Sequence, residues 1–307
     1  MDNKSKYRQF CKVAPDMPFY MLDGYLDVVC SDNWEVALVE NQSGIIAALP
    51  YFKKKKFGFQ YITMPLLCKT MGPYLLPMYR KIEQEHKLFE SLIQQLPKFD
   101  SFIQDFHYHY QNWLPFYWAG YQQTTKYTYL IQNLQHLDAV WERIYRSYRN
   151  NSIPKAKAIL KITSDYSLED FYRVHKKTFD RQGIAVPFTF DYLSKIDKEL
   201  ERQNCRKIFF AVDAENNIHS VFYLVWDKAA AYCFLMGDDP NFRQQGGSIL
   251  LTWEAIRYAA TECHLDTFDF LGSMIKPIEQ VRRNFGATQQ PYYCISKINH
   301  PILKVVK

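Results

Sequence analysis

Apolar and polar positions along the chain divide it into two halves with the same order of elements. Each half has short apolar runs that predict antiparallel strands, then a loop, an amphipathic helix and a further strand. The loop and the helix fall at 64–77 and 81–96 in the first half, and at 237–247 and 248–261 in the second. We therefore predict an internal structural repeat of about 140 residues.

Local signals define further elements of the second half. The sequence Ser167-Leu168-Glu169-Asp170 is a capping box, which predicts the start of a helix. Apolar runs predict an antiparallel meander of three strands at 207–213, 220–226 and 230–236. Two more helices are predicted at 135–148 and 188–202, and a basic, proline-containing connection at 149–158.

The four consecutive lysines at 53–56 follow an apolar strand and predict the solvated tip of a hairpin. A contact to a substrate phosphate is the less favoured alternative. The full order of elements predicts an α/β fold with a mixed sheet. A chain of 307 residues suits two domains of about 150 residues better than one. We place the first domain at residues 1–130 and the second at residues 131–307.

A glycine-bearing loop lies between the last strand of the meander and the helix that follows it. Its residues are Arg243, Gln244, Gln245, Gly246, Gly247 and Ser248. The first N–H groups of a helix lack intrahelical partners, and the positive end of the helix dipole adds to them. Phosphate binds at such a place, and glycine lets it approach the backbone. We therefore predict that the loop binds the pyrophosphate of an acyl-CoA co-substrate, such as acetyl-CoA, with no permanently bound cofactor.

The corresponding loop of the first half contains Pro73, which has no N–H group to offer a phosphate. We therefore expect a phosphate site in the second half alone.

Composition narrows the class of protein. Hydrophobic residues make up 48% and charged residues 23%, as in globular proteins. The net charge of +6 and the pI near 8.7 fit a protein that binds an anionic small substrate or contacts nucleic acid transiently. This pI is lower than that of dedicated nucleic-acid binders. The 23 Tyr and 22 Phe indicate a tyrosine-rich core and surface in preference to an aromatic-lined cleft.

Cysteine and histidine positions give no metal site. The seven cysteines are scattered without a C-x-x-C pair and indicate buried thiols in a reducing compartment. His107 and His109 would share one strand face, but no third ligand is near, so we predict no bound metal. No apolar run reaches the length of about 18 residues that a membrane span needs. We expect a cytoplasmic protein without a signal peptide.

Several segments resemble the Fem family of peptidoglycan-bridge aminoacyl transferases and related bacterial acetyltransferases of the GNAT superfamily. The segments are LPYFKKKKFGFQYITMPLLCKTMGPYL at 49–75, TYLIQNL at 128–134, WERIYRSYRNNSIPKAKA at 141–158, FDFLGS at 268–273 and VRRNFGA at 281–287. The resemblance implies two tandem GNAT-like acyl-CoA N-acyltransferase domains, the first degenerate and the second active. It also implies a donor that is either acyl-CoA or an aminoacyl-tRNA. The long coiled-coil arm of some family members is absent here.

The resemblance also suggests catalytic residues for transfer of an acyl group to an amine. Such transfer passes through a tetrahedral oxyanion that needs hydrogen-bond donors. In GNAT domains a backbone N–H of a splayed strand donates a hydrogen bond to this oxyanion. The corresponding strand here contains Leu235, Met236 and Gly237. Arg282 takes the place that the family fills with a lysine, where it would stabilise the developing charge; a surface role is the alternative.

Five other residues are candidates for the proton or for the substrate. Asp238 and Asp269 are candidate proton acceptors, but Asp238 also suits an ordinary Asp-Asp-Pro turn, and Asp269 also suits pairing with an arginine. Arg149 and Lys155 would clamp a substrate phosphate or carboxylate, or else lie on a solvated linker. Tyr74 would stack on an acceptor, although core packing is favoured.

Three functions follow from these observations. The leading hypothesis is an N-acyltransferase that moves an acyl group from acyl-CoA to an amine-bearing anionic acceptor, such as a cell-envelope precursor. The second is an aminoacyl-tRNA-dependent transferase that adds an amino acid to a peptidoglycan precursor. The third, from another class, is a non-catalytic binding protein on a double GNAT scaffold. The intact Gly246-Gly247 loop argues against this third hypothesis.

Overall fold

The computed structural model describes residues 1–305, which form two compact units. The first unit comprises Met1–Lys126 and the C-terminal segment that begins at Pro291, and the second comprises Tyr127–Gln290. In chain order up to the boundary, the elements are α1 (Asn3–Val13), α2 (Asp23–Cys30), β1 (Trp34–Asn41), β2 (Gly44–Lys56), β3 (Phe59–Thr63), β4 (Tyr74–Leu75), α3 (Ile82–Gln94), β5 (Ser101–Asp105), α4 (Leu114–Trp118) and β6 (Gln122–Gln132).

The remaining elements continue through the second unit and return to the first. They are α5 (Leu137–Arg143), α6 (Ile153–Ile159), β7 (Lys161–Thr163), α7 (Leu168–Asp180), α8 (Phe190–Arg202), β8 (Arg206–Val212), β9 (Ile218–Trp226), β10 (Ala231–Asp238), α9 (Gly247–Thr261), β11 (Thr267–Asp269), α10 (Lys276–Asn284), β12 (Thr288–Ile298) and α11 (Pro301–Val305).

In the first unit, an antiparallel meander is extended by a parallel strand. Strand β2 pairs antiparallel with β1 and β3, and β5 then pairs parallel to β3 after α3 has crossed over. Strand β12 then pairs antiparallel with β5, from Cys294↔Asp105 to Ile298↔Ser101. A parallel pair requires a crossover connection, and the amphipathic α3 provides it.

The second unit repeats this order. Strands β8, β9 and β10 form the antiparallel meander, α9 crosses over, and β11 pairs parallel to β10. Strand β6 then pairs antiparallel with β11, from Thr267↔Gln132 to Asp269↔Leu130. The predicted α/β class with a mixed sheet and the predicted repeat are both present.

Two strand pairings between distant segments give unit limits that differ from the predicted domain limits. The sequence analysis assigned all of 131–307 to the second domain, but the segment from Pro291 belongs to the first unit. The reason is that β12 pairs with β5 of the first unit, whereas β6, from the end of the first half, pairs with β11 of the second. Strands β5 and β11 therefore each pair with a strand that is distant in sequence, which local patterns do not reveal.

Two aromatic-rich cores support these sheets, in line with the tyrosine-rich core predicted from composition. In the first unit, Phe102, Phe106 and Phe116 are fully buried, and the rings of Phe106 and Phe116 lie 4.9 Å apart. Gly72 is required beside this cluster, because a Cβ there would lie 2.5 Å from the Phe106 ring. In the second unit, Phe222 of β9 and Phe268 of β11 are fully buried among apolar side chains of α9.

Two local predictions are wrong. The lysines at 53–56 belong to strand β2, and the turn lies at Phe57 and Gly58, whose φ angles of 51° and 81° are left-handed. The helix predicted at 135–148 ends at Arg143, because Ile144 is extended. A π-helical segment at Tyr148–Ser152 then leads into α6, whose Pro154 occupies the first turn, where proline is tolerated. The segment predicted as a connection is therefore helical.

Several absences hold for residues 1–305. No helix in this part of the chain has the length and apolar character of a membrane span. No three His, Cys, Asp or Glu side chains of these residues are grouped as a metal site would require. All seven cysteines are free, and Cys263 alone is not buried.

Candidate active site

Strands β10 and β11 separate soon after they begin to pair. They are joined by two residue pairs, Ala231↔Phe268 and Tyr232↔Asp269. Strand β10 then continues to Asp238, while β11 ends at Asp269. A register shift between Cys233 and Leu235 places a bulge in β10 where the strands part. We call the gap between Cys233–Asp238 and Asp269–Leu271 the fork.

The backbone of β10 alternates between its two neighbours. In an antiparallel pair, successive residues face the partner strand and then face away from it. The Asp239 N–H donates to the carbonyl of His219 in β9, at 2.9 Å. Asp238 and Met236 therefore turn their backbone groups away from β9, toward the side on which the fork opens.

Helix α7 takes up most of these outward groups. The Met236 carbonyl accepts a hydrogen bond from Nδ1 of His175 at 2.6 Å. The Asp238 N–H donates to Oγ1 of Thr178 at 2.9 Å. No contact described for residues 1–305 engages the Met236 N–H on this side. It is thus the available backbone donor of β10 in the fork, within the predicted stretch Leu235–Gly237.

The glycine loop lies at the start of α9, as predicted. Arg243, Gln244 and Gln245 form an exposed 3-10 turn, and Gly246 follows with a left-handed φ of 78°. Helix α9 begins at Gly247 without a side-chain cap, and its first helical bond runs from the Leu250 N–H to the Gly246 carbonyl. The earlier N–H groups of the helix have no intrahelical partner and point out of its N-terminus.

Two glycines let the loop pack closely on its surroundings. A Cβ at Gly247 would lie 2.6 Å from Oγ of Ser220 on β9. A Cβ at Gly246 would lie 3.4 Å from the carbonyl oxygen of Ser152 and 3.6 Å from the Ala156 Cβ. The helix start is therefore held against β9 on one side and against α6 with its preceding π-helical turn on the other.

Asp238 connects the end of β10 to this loop. Its carboxylate accepts a hydrogen bond from Oγ of Ser220 at 2.6 Å. Burial raises the pKa of Asp238, and the hydrogen bonds from Ser220 and Ser248 and the charge of Arg243 oppose this rise. The predicted proton acceptor is thus engaged by the side chains that hold the loop.

Arg282 extends from α10 into the fork. Its guanidinium carbon lies 4.8 Å from the centre of the Phe270 ring, and Nη1 lies 3.9 Å from Sδ of Met236. It also approaches Cys233, where burial raises the pKa of the thiol and the guanidinium opposes that rise. Its Nε is buried without a hydrogen-bond partner, and no ion pair described for residues 1–305 includes Arg282. A cation in the fork is therefore left without a carboxylate.

Arg283 differs sharply from its neighbour. Its guanidinium pairs with Glu279, with 3.0 Å between Nε and Oε1, and its side chain is 65% exposed. Both arginines belong to the helix that begins at Lys276 with Pro277 in its first turn. Helical neighbours point about 100° apart, which separates the two guanidinium groups.

Asp269 lies at the mouth of the fork but is buried. It is 3% exposed and accepts hydrogen bonds from Oγ1 of Thr128 and from the N–H of Leu271, the latter at 2.8 Å. Leu271 and Gly272 have left-handed φ angles of 57° and 72°. The carboxylate therefore holds the turn that follows β11, which does not suit the predicted role of a proton acceptor open to substrate.

The two basic candidates of the second unit have different surroundings. Arg149 donates from Nε to the Ile144 carbonyl at 3.0 Å and forms an ion pair with Glu142. Its positive charge is therefore already paired with a carboxylate. Lys155 is exposed on α6, next to Ala156, which contacts Gly246. Of the pair, Lys155 is the one with no described ion pair, and it lies on the helix that packs against the glycine loop.

Tyr74 belongs to the core of the first unit. It is 1% exposed, and its hydroxyl donates to Oδ1 of Asp16 at 2.7 Å. Burial would raise the pKa of Asp16, but the Arg80 guanidinium and the Tyr74 hydroxyl outweigh it and hold that pKa below its usual value. No face of the ring is available, so the predicted stacking on an acceptor is wrong.

We expect Tyr74→Phe to lower the free energy of unfolding by about 1 to 2 kcal/mol, because the Asp16 carboxylate loses a donor. Donor binding should not change. Chemical denaturation measures the first effect and calorimetry the second. Tyr79→Phe is the control, since the Tyr79 hydroxyl accepts an exposed bond from Asn41. Loss of substrate binding in Tyr74→Phe at unchanged stability would contradict this assignment.

No sequence pattern indicated a functional role for His175 or Thr178. Both lie on α7, where His175 is buried with Phe171 and Val174 on the apolar face. The available signal was a histidine at a position that the helical period assigns to the core. Such histidines usually serve packing, so the pattern alone does not indicate a contact with β10.

Comparison with known proteins agrees with this geometry. A model of the acetyltransferase (GNAT) domain matches residues 143–277. This segment includes the meander, the glycine loop, α9 and β11. No curated protein matches the chain in sequence.

Three solved structures share the fold. FemX has 12% sequence identity and a TM-score of 0.74, covering 99% of this chain and 98% of that one. A tandem GNAT protein from the clavulanic acid biosynthesis pathway has 11% identity and a TM-score of 0.58, covering 97% and 95%. L-PGS from Bacillus licheniformis has 10% identity and a TM-score of 0.53, covering 88% and 86%. Residues 143–277 thus match the acetyltransferase (GNAT) domain model, and the chain shares the fold of FemX and of a tandem GNAT protein.

Proposed function

We propose that this protein is an N-acyltransferase whose acyl donor lies along β10, with its pyrophosphate at the glycine loop and its reactive carbonyl in the fork. The observation that carries the proposal is the separation of β10 from β11 beside an uncapped helix start. The same strand leads from the Met236 N–H in the fork to Asp238, which contacts the loop. Acetyl-CoA, the co-substrate that GNAT domains generally use, has its phosphates and its thioester at opposite ends of an extended arm.

The reaction is addition of an amine nitrogen to the acyl carbonyl carbon, followed by loss of the thiolate. A C–N bond forms, the C–S bond breaks, and the proton of the amine passes to the leaving group or to water. The carbonyl oxygen becomes negative in between. We assign the Met236 N–H and the Arg282 guanidinium as its donors, because both lie in the fork and neither is engaged by a carboxylate.

Each remaining candidate has a narrower role in this proposal. The N–H groups of Gly247 and Ser248, the side chain of Arg243 and the exposed Lys155 would bind phosphate. Asp238 holds the loop through Ser220 and Ser248, and Asp269 holds the turn after β11. We therefore assign neither carboxylate as the base.

We expect CoA and acetyl-CoA to stabilise the protein, by about 2.7 kcal/mol at a ligand concentration of 100 times Kd. Pantetheine, which lacks the phosphates, is the matched control and should stabilise far less, because the loop recognises phosphate. Thermal melting and calorimetry measure both. Equal binding of pantetheine and CoA would contradict the phosphate site, and no binding of either CoA form would remove acyl-CoA as the donor.

An aminoacyl-tRNA is the second candidate donor. It is supported by the likeness to FemX over nearly the whole chain and by the exposed Lys155 and Lys157 on α6, which contacts the loop. Here an ester replaces the thioester, and the same fork donors would serve. Binding of tRNA that weakens steeply with salt, without CoA binding, would favour this donor. A protein that binds either donor but transfers nothing to any amine would be a binding protein on this scaffold.

A further inference from the structure

We infer that His175 is a positioning residue that keeps the fork open and leaves the Met236 N–H free for the acyl carbonyl. This inference rests on the proposed function. His175 itself touches neither donor nor acceptor in this assignment. It acts through the backbone of β10.

The contact between α7 and β10 fixes His175 from two directions. A Cβ at Gly237 would lie 2.5 Å from the Cα of His175, so only glycine permits this approach of the helix to the strand. The imidazole is held between Phe171 and Phe188, each at 5.7 Å between ring centres and inclined by 13° and 22°. The ring therefore has little freedom to turn away from the Met236 carbonyl.

The hydrogen bond from Nδ1 determines what the Met236 backbone can do. A buried carbonyl without a partner is costly, and in a parallel sheet its natural partner would be the next strand, β11. Because the imidazole already donates a hydrogen bond to the Met236 carbonyl, further pairing of β10 with β11 would add no hydrogen bond to this carbonyl. Thr178 satisfies the Asp238 N–H in the same way. The helix thus replaces the missing strand contacts and leaves the Met236 N–H as the donor in the gap.

The protonation state of the imidazole agrees with this arrangement. Burial lowers the pKa of His175, and the hydrogen bond to Met236 opposes only part of that decrease. Nε2 is buried and has no hydrogen-bond partner within residues 1–305. The ring is therefore neutral with its hydrogen on Nδ1, which is the tautomer that can donate to a carbonyl.

The first test needs no ligand and compares two variants. His175→Phe keeps an aromatic ring between Phe171 and Phe188 but removes the donor, whereas His175→Asn retains a donor in the position of Nδ1. In protein labelled with ¹⁵N-methionine, the Met236 amide resonance should shift in His175→Phe and return toward its wild-type position in His175→Asn. An unmoved resonance in His175→Phe would overturn the inference.

The second test separates positioning from general damage. CoA lacks the acyl carbonyl that the Met236 N–H would bind, and acetyl-CoA has it. His175→Phe should weaken acetyl-CoA binding roughly fivefold relative to CoA, the equivalent of one hydrogen bond, and His175→Asn should recover most of this ratio. Equal weakening of both ligands would mean a structural role only, and would overturn the inference.

Wild-type measurements decide the outcome where a variant does not fold. Long-range ¹H–¹⁵N spectra should show His175 protonated on Nδ1, and acetyl-CoA should shift the Met236 amide more than CoA does. An Nε2-protonated ring would overturn the inference. If the wild type binds neither ligand, acyl-CoA is not the donor and the proposed function fails in that form. The Met236 amide resonance of the ligand-free His175 variants still tests the role of His175.

Discussion

Gly246→Asp should abolish measurable CoA binding, with affinity falling roughly 100- to 1000-fold. A carboxylate at position 246 would lie within the loop that we propose binds the pyrophosphate, and two like charges about 4 Å apart repel by about 4 kcal/mol near a protein surface. Isothermal calorimetry with CoA measures the change. The φ of 78° and the nearby Ser152 carbonyl predict an additional loss of stability of about 1 kcal/mol, seen in thermal melting.

Gly246→Asn is the matched control for this experiment. Asparagine has the size of aspartate and tolerates the left-handed conformation at least as well, but it carries no charge. It should show the same loss of stability and a much smaller loss of CoA affinity. If the two variants bind CoA equally weakly, the effect is steric. If both bind CoA like the wild type, the phosphate is not at this loop.

Arg282→Ala should lower kcat about 100- to 1000-fold while the KM for the donor changes little. The guanidinium lies in the fork against Met236 and Phe270, without an acidic partner. Negative charge develops on the carbonyl oxygen only during transfer, so a cation placed there acts on turnover more than on ground-state binding. Removing one such donor typically costs this much in rate. Initial rates with the identified donor and acceptor measure it.

Two further variants test the assignment of the cation. Arg282→Lys should recover part of the rate, because it retains the charge but not the planar, bidentate geometry. Arg283→Ala should turn over like the wild type, since Arg283 is exposed and paired with Glu279. A larger effect at Arg283 than at Arg282, or normal turnover in both alanine variants, would show that the cation acts elsewhere.

Local chemistry explains why the position of the glycine loop at a helix start could be predicted from the sequence. Gly246 and Gly247 stand between an apolar strand and an apolar helix, and a helix start exposes N–H groups whatever the tertiary structure is. Arg282 was identified by the resemblance of VRRNFGA to a family segment; the structure places it next to Met236 and Phe270, and its catalytic role stays a prediction. The helix that carries it begins with Pro277 in the first turn, where proline is favourable.

For the other candidates, the sequence did not show whether the side chain is buried. Tyr74 and Asp269 lie in strands whose patterns leave both faces possible, and both prove to be at most 3% exposed. A titratable side chain whose lone pairs or hydroxyl already form hydrogen bonds within the protein is not free to bind substrate or to accept its proton. Thr128, which donates to Asp269, lies 141 residues away in the chain. No local pattern connects the two.

The sequence by itself determined the order of elements, the repeat and the place of the glycine loop, because these depend on periodicity and on backbone properties of single residues. The tertiary structure alone decided which strands pair across long stretches of sequence: β12 pairs with β5, and β6 pairs with β11. It also decided that α7 satisfies the outward groups of β10. Contacts of this kind form between segments that are far apart in the chain. They depend on which buried N–H and C=O groups of one segment still lack a hydrogen-bond partner when the other packs against it.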